Sequence, residues 1–458
     1  MNSDIGLDDV FEYIDANKQY FLEELRPLLE QKSISTRGEG VHECATLLVN
    51  MLNKYGLSNV RIFETPGSPI VFGEVIEDPT LPTILMYGHY DVQPPEPLEE
   101  WNTDPFKMVI KNERIYCRGS SDNKAQFFAA LMGMVSYRRV RGKLPINMKY
   151  LLEGEEEIGS IHLPEFARQY KDMLKADACI YSDGCYHESG RPVLILGLKG
   201  TKYAQITLHG ANRDTHSMRS SCIPNPIWRL PKLLSSIRDE DSGYVKIKGF
   251  YDDVRPLTQL EIDAVNKIPV DEEALKHSYG INSFVSYPAN GGYYYNLMFE
   301  PAVNVAGIFG GYTGGGFKTV LPSTVTVRLD FRLVPNQKAS DIQQKLLKHL
   351  KENGFGDAEV IFEEGSFDAS RTPIDNCYVD ICAKAVEDGF GEIPIIFPGV
   401  GGGGPNCIFM DILGMPAIEI PFADTNQFNH APNESQVLSG FYNGIKTSAA
   451  VIARFKRL

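Results

Sequence analysis

The order of apolar and polar residues along the chain predicts a sheet of buried strands separated by helices. Four short runs are almost continuously apolar, as expected for strands that are covered on both faces. They are Thr83–Tyr87, Asn147–Leu152, Asp177–Ser182 and Pro416–Ile420. Amphipathic helices are predicted over Leu7–Glu30, over a segment that includes Phe127–Val135, and over Leu438–Phe455. This alternation of strands and helices is typical of a layered α/β architecture.

The middle of the chain has a different pattern. Apolar and polar residues alternate over Ala204–Leu208 and over Val325–Phe331, which predicts antiparallel strands with one covered face. An amphipathic helix is expected over Ser340–Leu350, with Ser340 as its N-cap. One more strand is expected over Ala358–Glu363. The pattern therefore predicts a smaller α+β unit in the middle of the chain.

These two patterns predict two domains, one of which interrupts the other. A chain of 458 residues is longer than a single hydrophobic core usually supports. The larger α/β domain is predicted over residues 1–198 and 372–458. The smaller α+β domain is predicted over residues 199–371, as an insertion into the larger one.

The charge and the cysteine content narrow the class of function. The net charge is −14, so the chain has no basic excess with which to neutralise nucleic-acid phosphates. No apolar run approaches the roughly 18 residues of a membrane span, and the acidic start Met1–Ile5 does not resemble a secretory signal. The eight cysteines include no C-x-x-C pair, which disfavours a thiolate zinc site. We expect a cytoplasmic protein that binds neither nucleic acid nor membrane.

Residue types that bind metals follow each predicted buried strand. They are His89 and Asp91 after the first strand, Glu155, Glu156 and Glu157 after the second, Asp183 after the third and His430 after the fourth, with Asp122 before the first long helix of the domain. Sites in open α/β sheets form outside the carboxyl ends of the strands. We therefore expect these side chains to converge on one crevice.

Each of these features also has a plain structural alternative. Asp122 alone could be a helix N-cap, His89 or His430 alone could be an ordinary histidine, and the glutamates could form a solvated acidic turn. These alternatives are less favoured when the residues are considered together. Three adjacent carboxylates repel one another unless a positive group lies beside them. Two histidines and three carboxylates form a donor set that zinc accepts. A carboxylate that binds no metal is then needed as general base, and Asp91 is placed to fix the tautomer of His89.

Several motifs in these segments together resemble the dinuclear-zinc metallopeptidase family of aminoacylase-1, carboxypeptidase G, succinyl-diaminopimelate desuccinylase, peptidase T and the carnosine dipeptidases. The motifs are MYGHYDVQP (86–94), RGSSDNKAQ (118–126), EGEEEIGS (153–160), YSDG (181–184), DTHS (214–217), KTVLP (318–322), FRLVPN (331–336) and FNHAPNE (428–434). The resemblance covers nearly the whole chain. It implies a zinc-exopeptidase-like catalytic domain, in which helices flank a mixed sheet, with an inserted lid and dimerisation domain.

The resemblance also implies a role for each residue at the strand ends. The implied metal ligands are His89 and Asp183 for one zinc ion, Glu157 and His430 for the other, and Asp122 as the bridge between the two ions. Manganese or cobalt could take the place of zinc. Glu156 would act as general base and acid on a water that bridges the ions. A shift of one residue within 155–157 would exchange the roles of these glutamates.

Four further residues are implied to contact the substrate. His216 matches a histidine that, in dimeric members, reaches the other subunit's site and binds the oxyanion, although alone it could be a surface residue. Arg332 matches an arginine that clamps a substrate carboxylate, although it could instead pair with Asp330. Gly403 and Gly404 lie in a glycine run that matches a substrate-binding loop, but this chain lacks the serine of that loop.

Two features favour the dipeptidase branch of this family. Asp at position 183 accompanies aminopeptidase and dipeptidase activity in the family, whereas Glu accompanies carboxypeptidase and deacylase activity, and Gly249–Val254 resembles a segment of dipeptidase lids. We predict a homodimer that hydrolyses a dipeptide, or a short peptide with a free amino end, with two divalent metal ions per subunit. An amidohydrolase of N-acyl or N-carbamoyl amino acids is the nearest alternative, and a catalytically silent binding paralogue is a third.

Overall fold

The computed structural model describes residues 6–285, 291–363 and 365–455, so the acidic start Met1–Ile5 lies outside the described residues. The strands are β1 (Ser58–Phe63), β2 (Ile70–Val75), β3 (Thr83–His89), β4 (Val109–Lys111), β5 (Arg114–Tyr116), β6 (Asn147–Glu153), β7 (Ala178–Tyr181), β8 (Val193–Ile195), β9 (Gly197–Leu198), β10 (Gly200–His209), β11 (Thr215–His216), β12 (Ala302–Gly310), β13 (Val320–Leu321), β14 (Thr324–Leu333), β15 (Glu359–Phe362), β16 (Ser370–Arg371), β17 (Ile395–Phe397), β18 (Ala417–Glu419) and β19 (Ser435–Val437). The helices are α1 (Asp8–Ala16), α2 (Lys18–Glu30), α3 (Val41–Lys54), α4 (Lys124–Arg141), α5 (Leu163–Gln169), α6 (Lys171–Leu174), α7 (Leu230–Ile237), α8 (Gln259–Val265), α9 (Glu272–Tyr279), α10 (Gly292–Phe299), α11 (Ala339–Glu352), α12 (Cys377–Phe390) and α13 (Leu438–Phe455). Among the described residues, no helix is long and apolar enough to cross a membrane.

The larger sheet is mixed, and the four predicted buried strands are neighbours within it. Its strand order is β1-β2-β6-β3-β7-β18-β8-β17. Strands β6, β3, β7 and β18 run parallel to one another, while β1 and β2 extend the sheet in antiparallel fashion at one edge. Side chains of α4, α12 and α13 pack on one face, and α5 with the helical turn Ile408–Leu413 packs on the other. The predicted α/β class, with helices flanking a mixed sheet, is confirmed.

The smaller sheet forms where the alternating pattern predicted it. Its strand order is β12-β14-β10-β15, and all neighbours are antiparallel. The register places Ile206 opposite Val327, and both side chains are buried. Apolar side chains of this face pack against α7 and α11. The period of two in the sequence therefore corresponds to one covered face of this sheet.

Two helix boundaries differ from the prediction. Ser340 is not the N-cap of α11, because the helix begins one residue earlier and the Ala339 backbone N–H donates to Asp368 Oδ1 at 2.9 Å. The N–H at the start of the helix is thus bonded by a carboxylate that is distant in sequence, and Ser340 lies inside the helix. The single helix predicted over Leu7–Glu30 is divided into α1 and α2 at Asn17, whose side-chain amide bonds the backbone of the preceding turn.

Residues 259–299 contain helices that the sequence pattern did not predict. Side chains of α8 and α10, among them Val265 and Tyr294, pack against Ile195 of β8 and Phe397 of β17. The rings of Tyr294 and Phe397 lie 5.6 Å apart between centroids. Part of the segment predicted as the inserted domain therefore covers one edge of the larger sheet. The division of the chain at residues 198 and 371 stays a prediction.

Candidate metal centre

The parallel strands bring the predicted ligands to one edge of the larger sheet. His89 is the last residue of β3, Asp183 lies two residues beyond β7, and Glu156 and Glu157 begin the short turn after β6. Because β3, β6 and β7 run in the same direction, their carboxyl ends meet at the same edge. Asp122 joins this edge from the loop that precedes α4.

A first group of donor atoms consists of His89, Asp122 and Asp183. His89 Nε2 lies 3.0 Å from Asp122 Oδ1 and 3.4 Å from Asp183 Oδ2. The three ligand atoms lie within 4.8 Å of one another, so that one ion can contact all of them. The His89 ring is buried, and its backbone N–H donates to Asn123 Oδ1 at 3.3 Å, which joins the end of β3 to the loop of Asp122.

A second group consists of Asp122, Glu157 and His430, and it shares Asp122 with the first group. His430 Nε2 lies 3.1 Å from Asp122 Oδ2 and 3.1 Å from Glu157 Oε2. Gln93 Nε2 donates to the same oxygen of Glu157 at 2.9 Å. The two oxygens of Asp122 therefore face different histidines, as in a carboxylate that bridges two cations.

The donor atoms of both groups fit divalent cations. His89 Nε2 is buried and has no hydrogen bond of acceptable geometry among the described residues, although two carboxylates lie beside it. A buried ring nitrogen without a hydrogen bond costs free energy unless another partner binds it. Imidazole nitrogens and carboxylate oxygens are ligands that zinc accepts, and manganese and cobalt accept them as well.

Burial and mutual repulsion shift the pKa values of the acidic groups. Burial, together with the neighbouring Asp122, raises the pKa of Glu157 to about 7, and burial also raises the pKa values of Glu156 and Asp183. Burial alone would raise the pKa of Asp122, but the two adjacent histidines hold it well below its usual value. Hydrogen bonds to Asp122 and Glu157 raise the pKa of His430 to about 11. Such opposed shifts are expected where carboxylates crowd together to bind cations.

The three consecutive glutamates after β6 have different surroundings. The Glu155 carboxylate lies 2.8 Å from His162 Nδ1 and accepts the Ser68 backbone N–H at 2.9 Å. Glu156 Oε2 lies 4.0 Å from His89 Nε2. Of the three, Glu156 and Glu157 face the donor groups, whereas Glu155 binds residues away from them.

Asp91 supports both the histidine and the turn. Its Oδ1 lies 3.4 Å from His89 Nδ1, and its backbone carbonyl oxygen lies 3.2 Å from the same nitrogen. The two carboxylate oxygens accept the backbone N–H groups of Glu156 and Glu157 at 3.2 and 3.1 Å. Asp91 is completely buried, so it positions the imidazole ring and the glutamate turn relative to each other.

Sequence reasoning missed Glu434, which holds the Asp122 loop in place. Its Oε1 accepts the backbone N–H groups of Ser121 at 2.8 Å and Asp122 at 3.0 Å, while its Oε2 pairs with Arg118 Nη1 at 2.8 Å. The side chains of Glu434 and Arg118 are almost completely buried. Glu434 follows His430 by four residues and thus connects the two loops that supply His430 and Asp122. The acid that ends the motif FNHAPNE was the signal that could have identified it.

His216 and Arg332 lie outside the two donor groups. His216 is exposed in β11, where the Met218 backbone N–H donates to its Nδ1 at 3.0 Å. It lines neither of the two cavities that reach the centre. Arg332 Nη2 donates to Asp330 Oδ2 at 3.1 Å, which is the pairing left open by the sequence, and Arg332 also lines one of these cavities.

The two cavities meet at the donor groups. The first has a volume of about 480 Å³ and is bounded there by Asp183, Glu156 and His430. The second has a volume of about 400 Å³ and contains Arg332. Glu156, Gly403 and His430 belong to both cavities, so the centre lies where they join.

Gly403 and Gly404 allow the backbone to pass close to this junction. A Cβ atom on Gly403 would lie 2.6 Å from Thr201 Cγ2, and one on Gly404 would lie 2.7 Å from Leu198 Cδ1. Both distances are shorter than real Cβ contacts, so a larger residue at either position would require Thr201 or Leu198 to move. The same Cβ atom on Gly404 would lie 3.9 Å from Glu156 Oε1.

Known proteins are similar to this chain in both sequence and fold. Human Beta-Ala-His dipeptidase is 26% identical over 475 residues, covering 99% of this chain and 93% of the relative. The Cys-Gly metallodipeptidase DUG1 of Candida albicans is 30% identical over 470 residues, covering 97% and 96%. Among solved structures, the M20 family metallo-carboxypeptidase Sso-CP2 from Sulfolobus solfataricus has a TM-score of 0.89 at 34% identity, covering 96% of this chain and 99% of that one.

A second solved structure, human carnosine dipeptidase 1, has a TM-score of 0.81 at 26% identity, covering 99% of this chain and 100% of that one. Residues 85–454 match the sequence profile described as Peptidase family M20/M25/M40. The matched range includes the four strand ends and both donor groups. The resemblance found in the motifs is thereby confirmed, and the chain belongs to peptidase family M20/M25/M40.

Proposed function

We propose that the chain is a metal-dependent dipeptidase, which hydrolyses a dipeptide or a short peptide with a free amino end. The observation that carries this proposal is the position of Asp122 between two donor groups, with Glu156 beside them where two cavities join. The human and Candida albicans relatives are named as dipeptidases and support this reaction class. The alternative is hydrolysis of N-acyl amino acids by the same centre. A panel of dipeptides and N-acyl amino acids as substrates distinguishes the two reactions.

The proposed centre holds two divalent ions per subunit, with zinc as the first choice. The proposed ligands are His89 and Asp183 for one ion, Glu157 and His430 for the other, and Asp122 for both. Such ions, when bound, polarise a carbonyl group and lower the pKa of water. The nitrogen and oxygen donors also suit manganese and cobalt, so the supply of metal decides which ion is used.

Glu156 carries the proton in the proposed reaction. Its carboxylate takes a proton from water as the water oxygen bonds to the peptide carbonyl carbon. The same group then gives this proton to the amide nitrogen as the C–N bond breaks, which yields a free carboxylic acid and a free amine. Burial raises the pKa of Glu156, and a raised pKa suits a group that serves as base and then as acid.

Arg332 and the glycine loop are proposed to hold the carboxylate of the substrate. Asp330 accepts the Nε–H and an Nη2–H of Arg332, and a guanidinium carries five N–H donors, so others are left for a substrate. Gly403 and Gly404 keep the adjacent backbone free of side chains that would fill the junction. His216 is proposed to reach the oxyanion from a second copy of the chain.

The proposed enzyme is a homodimer that associates through the smaller sheet. Strand β12 lies at one edge of that sheet. Large apolar side chains in and beyond this strand are exposed, namely Val305, Ile308, Phe309, Tyr312 and Phe317. Clustered exposed apolar side chains mark interaction surfaces, and an unpaired strand edge can pair with a second copy.

We also propose a cytoplasmic location. All eight cysteines are unpaired thiols. Unpaired thiols are expected in compartments where glutathione and thioredoxin keep cysteines reduced. Fractionation of the cells that make the protein would test this location directly.

Replacing Glu156 by Gln tests the proposal, because it removes the proton-carrying carboxylate with little change in size. We expect kcat for dipeptide hydrolysis to fall by roughly 10²- to 10⁴-fold, which is the usual effect of losing a general base. The zinc content of the purified variant, measured by mass spectrometry, should equal that of the wild type, since Glu156 is not a proposed ligand.

Glu165→Gln is the matched control, because the Glu165 side chain is 77% exposed on the surface. This variant should keep the wild-type kcat. An unchanged kcat in Glu156→Gln would contradict the role of Glu156. Turnover of N-acetyl or N-succinyl amino acids without cleavage of any dipeptide would contradict the dipeptidase assignment itself.

A further inference from the structure

The first cavity extends from the metal centre to an apolar wall that the reaction described above does not use. Part of this wall comes from the edge of the larger sheet and part from α10. The apolar side chains that line it include Ile195, Leu198, Tyr294, Leu297, Phe397 and Val400. A volume of about 480 Å³ lies within the usual size of small-molecule sites, and it leaves room for a large side chain beside the centre.

The aromatic part of this wall is held in place by its own contacts. The Tyr294 hydroxyl lies 3.0 Å from His187 Nε2 and donates to Glu188 Oε2 at 3.0 Å. The Tyr294 ring packs against Phe397 at 5.6 Å between centroids. Leu198, Leu297 and Val400 are only partly buried in this structure. These aliphatic side chains can therefore lose further contact with water when a substrate enters.

The two cavities differ in the charged side chains that line them. The first cavity is bounded by carboxylates, among them Asp183, Glu188 and Glu419, and no lysine or arginine of the described chain lines it. Glu156 and Glu157 line the second cavity, but this cavity also contains Arg332, and the first cavity has no arginine among the described residues. A dipeptide carries an ammonium group at one end and a carboxylate at the other. Charge complementarity thus directs the amino end toward the first cavity and the carboxyl end toward the second.

We propose that the first cavity binds the amino-terminal residue of the dipeptide and selects a large apolar or aromatic side chain there. This inference rests on the proposed dipeptidase function and adds the substrate class to it. The scissile bond then lies at the junction, beside Glu156 and Gly403, with the carboxyl-terminal residue near Arg332. Leu297 is a specificity-determining residue in this arrangement, because it lines the apolar wall from α10.

The test compares kcat/KM for Gly-Gly, Leu-Gly, Phe-Gly, Gly-Leu and Gly-Phe with the zinc-loaded full chain. Burying a large apolar side chain in such a pocket changes kcat/KM by roughly 10- to 200-fold. We expect Leu-Gly and Phe-Gly to exceed Gly-Gly by at least about tenfold, and to exceed Gly-Leu and Gly-Phe. Leu297→Asp places a charge on the wall and should lower the ratio of Phe-Gly to Gly-Gly by about tenfold.

Leu297→Ala adds no charge and should lower the same ratio by a few fold, which keeps the test valid if the aspartate variant does not fold. Leu260→Asp is the matched control, because Leu260 lies on α8 outside the cavity and is 48% exposed. It should keep the wild-type ratio. Hydrolysis of Gly-Gly as fast as Phe-Gly, or a preference for Gly-Phe that Leu297→Ala abolishes, would overturn this inference alone. Absence of hydrolysis of every dipeptide would overturn the proposed function as well.

Discussion

Glu155, Glu156 and Glu157 are adjacent in the sequence but have different surroundings. Glu155 binds His162 and a backbone N–H, Glu157 joins a donor group with His430, and Glu156 is left beside both donor groups. Asp91 accepts the backbone N–H groups of Glu156 and Glu157 and thereby fixes the turn that contains them. Three identical side chains can therefore have the three different roles proposed for them, because the backbone points them in different directions.

Glu434→Gln is predicted to weaken zinc binding, although Glu434 is not a proposed ligand. The amide keeps the shape of the side chain but removes the charge that pairs with Arg118 and that accepts the N–H groups of the Asp122 loop. Loss of a residue that supports a metal ligand usually lowers metal affinity by roughly 10- to 100-fold. Competition with a chromophoric chelator measures the zinc Kd.

Glu64→Gln is the control for this comparison, because the Glu64 side chain is 71% exposed. Circular dichroism establishes that both variants are folded. A folded Glu434→Gln variant with the wild-type Kd for zinc would show that Glu434 does not position Asp122.

The predicted buried strands could be identified because local pattern and tertiary environment agree. Each is covered on both faces, so its residues are almost continuously apolar, and the polar residues that follow mark its carboxyl end. Other features depend on contacts between distant parts of the chain and leave no local pattern. The Ala339 N–H at the start of α11 donates to Asp368, 29 residues away, and Glu434 bonds backbone groups more than 300 residues away.

Helix α8 leads to a prediction of pH dependence. Glu261 in its first turn is buried and lies 2.9 Å from Arg371 Nη1 and 2.5 Å from Arg255 Nη2, and it accepts the Thr258 backbone N–H at 2.8 Å. Burial alone would raise the pKa of Glu261, but these donors lower it from 4.5 to about 2. The charged form is thus favoured by folding.

Because the pKa of Glu261 is lower in the folded state, its contribution to stability is complete above about pH 4.5 and is lost as the pH falls toward 2. We expect Glu261→Gln to lower the free energy of unfolding at pH 7 by on the order of 2 kcal/mol. The difference from the wild type should shrink as the pH falls from 5 to 3. Denaturant unfolding at several pH values measures it, and a difference that grows in acid would contradict this assignment.

At the scale of the whole molecule, the candidate metal centre of one chain lacks the contact with His216 that the family resemblance implies. The larger sheet supplies both donor groups and Glu156, and the smaller sheet supplies Arg332. His216 is exposed and lines neither cavity. If a second copy supplies this histidine, activity depends on the dimer, and two inactive variants should restore each other.

Mixing Glu156→Gln with His216→Ala tests this exchange. In a hybrid dimer, the subunit with His216→Ala retains Glu156 and receives the histidine of its neighbour, so that one of two sites is complete. Random exchange makes about half of the dimers hybrid, so the mixture should recover about a quarter of the wild-type rate. Mixing Glu156→Gln with Asp122→Asn is the control and should recover none. Failure of the first mixture to recover, with exchange of subunits demonstrated, would exclude the role of His216 across the dimer.

Titration of metal-free protein with zinc, followed by hydrolysis of Ala-Gly, tests the shared centre most directly. The two donor groups that meet at Asp122 predict no hydrolysis without metal and a rise in rate that reaches a plateau at about two zinc ions per chain. Asp122→Asn should prevent this rise. Hydrolysis in the absence of metal, or a zinc-saturated protein that cleaves no dipeptide, would contradict the proposed enzyme.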